Sequence, residues 1–337
     1  MRSGKELILA SKAYTQENRS RSWFETIITL VLLVSSLFLS FVEFPLVIRI
    51  VLSTITALLY VRIFVIYHDY QHHAILQKSK LATLIMKTVG LYLLTPQNIW
   101  KRSHDHHHSH NSKLTLSGIG SYPTISKRLF VRLSKKNQFI YLLNRHPITI
   151  LLGYFTLFIY WLNVKSFYQS PKKHWDSFWS LVLHLSASVL IFYFLGATTF
   201  FVSWLFPFFV AFAIGSYLFY CQHNFPGAQY AENQDWKYDE AALFSTSFMV
   251  MNPIMQWMTG NIGFHHVHHL NSRIPFYRLP EVMKEMPELQ HAIRTSWNPI
   301  DVWNCMNLKL WDAENKEMIT LKQLRRNKKN VKTLIEL

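Results

Sequence analysis

The chain has 337 residues, of which 50% are hydrophobic and only 16% are charged. Its net charge of +16 lies mainly in segments that flank apolar runs, which is typical of contacts with anionic lipid and argues against a nucleic-acid-binding protein. The only two cysteines, Cys221 and Cys305, provide no disulfide framework, which favours a reducing compartment.

The amino-terminal half begins with a basic arm and two long apolar runs. Residues 1–23 are polar and lack the pattern of a secretory signal peptide. The runs at 24–42 and 45–67 are each long enough to cross a bilayer, although Arg49 and Arg62 interrupt the second. No basic residue lies in the turn between them, so the positive-inside rule predicts that both termini lie in the cytoplasm.

A first histidine cluster follows the second run directly. His68 and His72 are four residues apart and share one face of a helix, whereas the spacing leaves His73 ambiguous. The next apolar stretch, 81–96, is short and contains a lysine and a glycine. We expect it to lie at the membrane interface without crossing.

The second cluster contains His104, His107 and His108, which the helical period places on one face. Three apolar runs follow, at 147–161, 178–195 and 199–220. If all three crossed, the second and third clusters would lie on opposite sides of the membrane. Basic residues flank 147–161 on both sides, so we expect it to be interfacial, leaving four spans in total.

The third cluster repeats the spacing of the second, with His265, His268 and His269. Each H-x-x-H-H is expected to aim three imidazoles at one point. With the first pair this gives eight nitrogen donors, too many for one tetrahedral zinc ion and suitable for a pair of metal ions such as iron. A mobile metal-scavenging loop remains an alternative for the second cluster taken alone. His223, which follows the last run, is either a further ligand or structural.

Acidic and amide side chains near the clusters are candidates for a supporting role. A metal-bound imidazole usually donates its second nitrogen to a carboxylate or carbonyl group. Asp69 and Asp105 each follow a candidate ligand, and Asn261 precedes the third cluster. Plain solvated side chains are the alternative interpretation for all three.

At these positions the chain resembles the membrane fatty acid desaturase family, most of all the bacterial acyl-lipid desaturases. The similar segments are Trp100-Lys-Arg-Ser-His104-Asp-His-His107-His108, Gln222-His223-Asn-Phe, and Asn261-Ile-Gly-Phe-His265-His-Val-His268-His269 with the following Leu-Asn-Ser-Arg-Ile-Pro-Phe-Tyr-Arg-Leu-Pro-Glu281. The resemblance implies a di-iron centre. Its ligands would be His68, His72, His104, His107, His108, His223, His265, His268 and His269, with His73 in doubt beside His72.

The fold expected from these features is an all-α integral membrane protein. About four transmembrane helices and two interfacial helices would carry a cytoplasmic, histidine-rich cap with a di-metal site. The membrane domain would cover 24–312, and a basic cytoplasmic tail would cover 313–337.

The implied reaction is oxygen-dependent desaturation of a lipid-linked or CoA-linked acyl chain. Electrons would come from an external donor such as an acidic ferredoxin, steered by the basic face, and no catalytic group beyond the metal ligands is expected. The nearer alternative is a sister di-iron oxygenase that hydroxylates or ketolates an alkyl chain or a carotenoid. A histidine-rich metal transporter is the remote alternative, because transport requires polar ligands inside the spans.

Overall fold

The computed structural model describes residues 1–114 and 118–326 and is mainly helical. Part of the predicted basic tail, residues 327–337, lies outside the described residues. The α-helices of the first two-thirds are α1 (Gly4–Ser11), α2 (Arg19–Phe41), α3 (Leu46–Gln71), α4 (Lys80–Tyr92), α5 (Gln97–His110), α6 (Lys127–Arg132), α7 (Lys135–Asn144), α8 (Pro147–Leu151), α9 (Ser166–Gln169), α10 (Trp175–Thr199) and α11 (Phe206–Cys221). Two π-helical stretches, Tyr154–Lys165 and Phe200–Leu205, continue α8 into α9 and α10 into α11.

Within the described residues, three helical segments are long and apolar enough to cross a membrane: Arg19–Phe41, Leu46–Gln71 and Trp175–Cys221. Their outer faces carry large exposed apolar side chains, such as Phe38 (68% exposed) and Phe194 (70% exposed). Such side chains are favourable in lipid and unfavourable in water. The structure therefore confirms the predicted class of a helical membrane protein.

The third segment folds back on itself at Gly196. This residue has φ 81° and ψ 166°, a left-handed conformation that glycine adopts without steric cost. Trp204 Nε1 donates to Ser188 Oγ at 2.8 Å, and the rings of His184 and Phe208 lie 4.8 Å apart. A straight helix would separate residues 184 and 208 by roughly 36 Å, so the two arms of the segment form a hairpin. The division into four spans around this turn stays a prediction.

The two arginines that interrupt the second apolar run are buried and satisfied. Arg49 donates to the backbone oxygen of Ser40 at 3.0 Å and to Thr199 Oγ1 at 3.0 Å, joining three helices. Arg62 forms an ion pair with Glu25 at 2.5 Å. Charged side chains inside a membrane are stable only with such partners, so these arginines are compatible with a spanning α3.

The two shorter apolar runs form helices that pack beside the spans. The first is α4, which buries Met86 and Val89. The second follows α8 through the π-helix, where Phe158 stacks on Phe212 of α11 with ring centroids 3.9 Å apart. Their placement at the membrane interface stays a prediction.

The remaining elements form the cap. Its helices are α12 (Tyr238–Phe244), α13 (Pro253–Met258), α14 (His265–Leu270), α15 (Leu279–Glu285), α16 (Pro299–Asn307) and α17 (Leu321–Arg326), with 3₁₀ turns at Lys12–Tyr14, Phe276–Arg278 and Pro287–Leu289. Strands β1 (Phe248–Val250) and β2 (Arg294–Ser296) pair in parallel, with Val250 opposite Ser296. Strands β3 (Leu308–Asp312) and β4 (Glu317–Thr320) pair antiparallel.

The predicted basic arm is folded onto this cap. Helix α1 buries Leu7 completely. The backbone N–H of Gly4 donates to Asp239 at 2.7 Å, and Arg2 pairs with Glu288 at 2.9 Å. Because α12 packs against α14, the arm closes the side of the cap that carries the third histidine cluster.

Candidate metal centre

The nine histidines expected to bind metal come together in two buried groups. Each group offers one nitrogen per residue, and within a group these nitrogens lie within 4.8 Å of one another. The five-histidine group contains His68, His72, His104, His108 and His268, and the four-histidine group contains His107, His223, His265 and His269. Four segments of the chain supply them: the end of α3, α5, the residues after α11, and α14.

The expectation that each H-x-x-H-H aims at one point is wrong. On α5, His104 and His108 join the five-histidine group, while His107 joins the other. The division on α14 is reciprocal, with His268 in the five-histidine group. At 3.6 residues per turn, neighbouring side chains diverge by about 100°, so an adjacent pair of histidines faces two places.

In the four-histidine group, ring nitrogens meet directly. His223 Nε2 lies 3.1 Å from His107 Nε2 and 2.9 Å from His265 Nε2. His265 Nε2 is also 3.1 Å from His269 Nε2. One imidazole nitrogen carries either one proton or one lone pair, so hydrogen bonds among these rings cannot satisfy two such contacts at once.

The five-histidine group shows the same arrangement. His108 Nε2 lies 3.1 Å from both His104 Nε2 and His268 Nε2, and the buried Nε2 of His72 has no hydrogen-bond partner among the described residues. Two nitrogens bound at about 2.1 Å to one ion, at right angles to each other, would be about 3.0 Å apart. The spacing in both groups therefore fits nitrogens that share a cation.

Burial favours the neutral form of eight of the nine imidazoles, which is the form that metal binding requires. Burial, followed by the neighbouring imidazoles, lowers the pKa of His72, His104 and His107 well below its ordinary value. The pKa values of His108, His265, His268 and His269 are lowered in the same way. Burial lowers the pKa of His223 to about 4. A set of neutral nitrogen donors suits iron, zinc, copper or nickel.

Two of the nine rings are oriented through their second nitrogen. Asp69 Oδ1 lies 3.1 Å from His68 Nδ1, and Asp69 Oδ2 accepts the backbone N–H of Phe276 at 2.6 Å. His223 Nδ1 donates to the backbone oxygen of Ser245 at 3.3 Å. A carboxylate or carbonyl oxygen can only accept, so Nδ1 carries the proton in both rings and Nε2 keeps its lone pair.

The other candidate residues lie outside both groups. His73 has φ 59°, because α3 ends at Gln71, and its ring turns away to pair with Gln77. Asp105 pairs with Lys101 at the surface. Asn261 donates to the backbone oxygen of Phe276 at 3.2 Å and so holds the loop after α14.

The remaining cluster histidines, His106, His110 and His266, also lie outside the groups. The rings of His106 and His110 stack on each other with centroids 4.0 Å apart. His266 Nε2 donates to the backbone oxygen of Leu289 at 3.1 Å, and burial lowers its pKa to about 4.

Two supporting contacts were not anticipated from the sequence. The indole of Trp100 stacks on His104 with centroids 4.5 Å apart, and Gln222 Nε2 donates to the backbone oxygen of Ile262 at 2.8 Å. The first contact packs Trp100 against the ring of His104 one turn further along α5, and the second joins the segment of His223 to that of His265. The sequence signal for both contacts was that Trp100 and Gln222 belong to the histidine-containing segments that resemble the family.

A cavity of about 480 Å³ extends from the histidine groups between the helices. His68, His104 and His265 line the part of the cavity next to the histidine groups, which we call its head. Its walls are largely apolar or aromatic and include Tyr60, Val61, Phe64, Val65, Trp100, Leu157, Phe158, Leu162, Ala211, Phe212, Gly215, Leu218 and Phe219. From His68 to Tyr60 the cavity follows α3 over eight residues, or about 12 Å. The site therefore combines nitrogens that could hold metal ions with a long apolar pocket.

Comparison with known proteins identifies the family. The sequence profile described as "Fatty acid desaturase" matches residues 43–300, which contain all nine histidines of the two groups. The chain belongs to the fatty acid desaturase family. It is therefore an enzyme, an oxidoreductase of lipid metabolism, as the motifs predicted.

Curated relatives of the family match most of the chain. A "Fatty acid desaturase" of Bacillus subtilis (strain 168) is 26% identical over 333 residues, 95% of this chain and 92% of the relative. An "sn-1 oleoyl-lipid 12-desaturase" of Anabaena variabilis is 22% identical over 305 residues, 84% of this chain and 82% of the relative. A protein of the same description from Synechocystis is 23% identical over 239 residues, 70% of this chain and 65% of the relative.

Proposed function

We propose that this protein introduces a carbon–carbon double bond into the acyl chain of a membrane lipid, using dioxygen and a pair of iron ions held by the nine histidines. The observation that carries the proposal is the meeting of two buried histidine groups with the head of a long apolar cavity. Relatives described as acting on oleoyl-lipid support a lipid-linked substrate, and an acyl-CoA remains an alternative.

The reaction balances without any further catalytic side chain. Two C–H bonds on adjacent carbons break and a C=C bond forms. Dioxygen takes two hydrogens with their two electrons from the acyl chain, two electrons from an external donor and two protons from water, and becomes two water molecules. The iron pair, when bound with dioxygen, supplies the oxidant that unactivated C–H bonds require, a role that cofactors commonly take.

The protein would hold and orient the reactants. The neutral Nε2 atoms of the two groups would bind the ions. Asp69 and the backbone oxygen of Ser245 would fix the rings of His68 and His223. Such partners normally keep the ligating nitrogen aimed at the metal.

The cavity would hold the acyl chain. Its walls include inward-facing residues of α3, α11 and the π-helix Tyr154–Lys165. Because α3 and α11 belong to the segments long enough to cross a membrane, a lipid chain could reach the cavity from the bilayer. Apolar walls exclude water from the head of the cavity, where competing reactions of an oxidant would otherwise occur.

The proposed electron donor is a soluble, acidic carrier of the ferredoxin type. The segments at 78–136 and in the C-terminal tail are rich in lysine and arginine. Under the positive-inside rule they lie in the cytoplasm together with both termini and the histidine groups. A basic face attracts an acidic partner over distances of about 10 Å at moderate salt.

The test is expression in a host without desaturases, with a ferredoxin system supplied and total fatty acids profiled by gas chromatography–mass spectrometry. His107→Ala removes one member of the four-histidine group. His106→Ala is the matched control, because that neighbouring ring stacks on His110 outside both groups. We expect a new unsaturated acid with the wild-type protein and with His106→Ala, and none with His107→Ala.

Other outcomes would contradict the proposal in different ways. A hydroxylated or ketolated product, from lipid or carotenoid, would assign the protein to the sister oxygenases. An unchanged profile from folded, iron-loaded protein with a working donor would exclude acyl chemistry in that host. Equal loss in both variants would contradict the distinction between the rings inside the two groups and their neighbours outside.

A further inference from the structure

The pattern Asn-Pro-Ile-x-x-Trp occurs twice in the cap, at 252–257 and at 298–303. Each copy begins two residues after a strand of the parallel pair, in which Val250 lies opposite Ser296. Paired strands are about 4.8 Å apart, so the two copies start side by side. Asn252 and Asn298 each cap the following helix, accepting a backbone N–H at 2.9 Å.

The two copies present the same isoleucine outward. Ile254 is 71% exposed and Ile300 is 68% exposed. The tryptophans differ, however. The indole of Trp257 lies under the guanidinium of Arg62, with Cζ 3.8 Å from the ring centroid, whereas Trp303 is 70% exposed. Three large apolar side chains thus project from one edge of the cap; we call Ile254, Ile300 and Trp303 the apolar edge.

The contact between Trp257 and Arg62 shows how deep the first copy of the pattern lies relative to the membrane-spanning helices. Arg62 pairs with Glu25 of α2 at 2.5 Å. On either side of Glu25, Phe24 is 65% exposed and Ile27 is 53% exposed, and these are the first outward apolar residues of that span. The first copy of the pattern therefore lies where the lipid-facing surface of α2 begins.

We propose that the apolar edge enters the boundary between headgroups and acyl chains of the bilayer and seats the cap on the membrane. Because the two copies start within one strand spacing of each other, the second copy lies near the same level as the first. Tryptophan is enriched at this boundary, and amphipathic helices that lie in the boundary bury their apolar face by roughly 5–10 Å. The first copy lies beside the outward apolar residues of α2, and this neighbourhood points to lipid as the partner of the apolar edge.

The test places a polarity-sensitive fluorophore on Ile300→Cys in full-length protein, reconstituted in phosphatidylcholine vesicles that contain brominated acyl chains. The matched control is Lys237→Cys, on an exposed stretch where the lysine pairs with Glu240. Protein without an added cysteine gives the background, because Cys221 and Cys305 are buried. Trp303→Cys, at the other exposed position, gives an independent second measurement.

We expect the labels at 300 and 303 to emit at shorter wavelength and to lose most of their fluorescence to the brominated lipid. The label at 237 should keep its fluorescence and be quenched by aqueous iodide. Iodide quenching at 300 and 303 equal to that at 237 would overturn the proposal. Protection that appears only at high protein density, without lipid quenching, would also overturn it, in favour of a second copy of the chain. Neither outcome depends on enzyme activity.

Discussion

Replacing Asp69 by asparagine should weaken metal binding without removing any ligand. Asp69 is 1% exposed, and its two oxygens serve two donors, His68 Nδ1 and the backbone N–H of Phe276. An asparagine side chain has the same shape but only one acceptor oxygen. One of the two donors would then face an NH₂ group, and His68 would lose the carboxylate that fixes its tautomer.

The expected size of the effect follows from this change. Loss of such a partner typically lowers metal affinity or activity 10- to 100-fold, roughly 1.4–2.7 kcal/mol. A buried donor left without an acceptor adds about 1–3 kcal/mol of lost folding stability. The assay measures iron per protein by mass spectrometry, the yield of unsaturated acid, and the thermal unfolding midpoint of the same preparations.

Asp105→Asn is the matched control. Asp105 also follows a histidine of the five-histidine group, but its partner is Lys101 at the surface, and such a pair contributes at most about 1 kcal/mol. We expect this variant to keep its iron and activity. The reasoning is refuted if Asp69→Asn retains wild-type iron and product, or if both variants lose them equally.

Three further outcomes are expected. His72→Ala should lose iron and product, whereas His73→Ala should keep both, since only His72 joins a group; equal loss would contradict this division. Gly215 lines the cavity, and a Cβ there would meet nothing within 4 Å. Gly215→Leu should therefore shorten the acyl chains found in the product, whereas the control Ala213→Leu should not. Unchanged chain lengths with Gly215→Leu would place the substrate outside this cavity. Burial lowers the pKa of Lys309 from 10.5 to about 7. The free energy of unfolding should therefore increase as pH rises from about 7 to 10.5. This gain is complete above pH 10.5 and is lost as pH falls through about 7. The unfolding midpoint of the wild type should rise relative to that of Lys309→Met over that range, and a constant difference would contradict the shift.

The membrane class and the gathering of the histidines were predictable from the sequence. Apolar runs reveal helices long enough to cross a bilayer, and four-residue spacings such as His68 to His72 identify rings that face one point. The resemblance added His223, which spacing alone left undecided, and the structure places it in the four-histidine group.

Other features depend on three-dimensional contacts that no local pattern encodes. Asp69 and Asp105 look alike in the sequence. Asp69, however, is buried between His68 Nδ1 and the backbone N–H of Phe276 from a distant loop, whereas Asp105 pairs with Lys101 at the surface. His73 lies where α3 ends in a left-handed residue, so its helical position could not be extrapolated. The Asn-Pro-Ile-x-x-Trp pattern was visible in the sequence but too short to indicate a repeat without the parallel strand pair that precedes it.

The division of each histidine triplet explains why its last two members are adjacent. A spacing of four residues returns a side chain to nearly the same face of a helix, whereas adjacent residues diverge by about 100°. His107 and His108 on α5 therefore face different groups, as do His268 and His269 on α14. Helix α5 gives two rings to the five-histidine group and one to the four-histidine group, and α14 does the reverse.

This reciprocity makes the two groups a single mechanical unit. The rings of His108 and His269, which belong to different groups, stack with centroids 4.2 Å apart. A rotation of α5 or α14 would displace nitrogens of both groups at once. If each group holds one ion, loss of either ion should loosen the other site through these shared helices, because a packed contact transmits strain instead of absorbing it. Two separate sites on independent segments would lack this coupling.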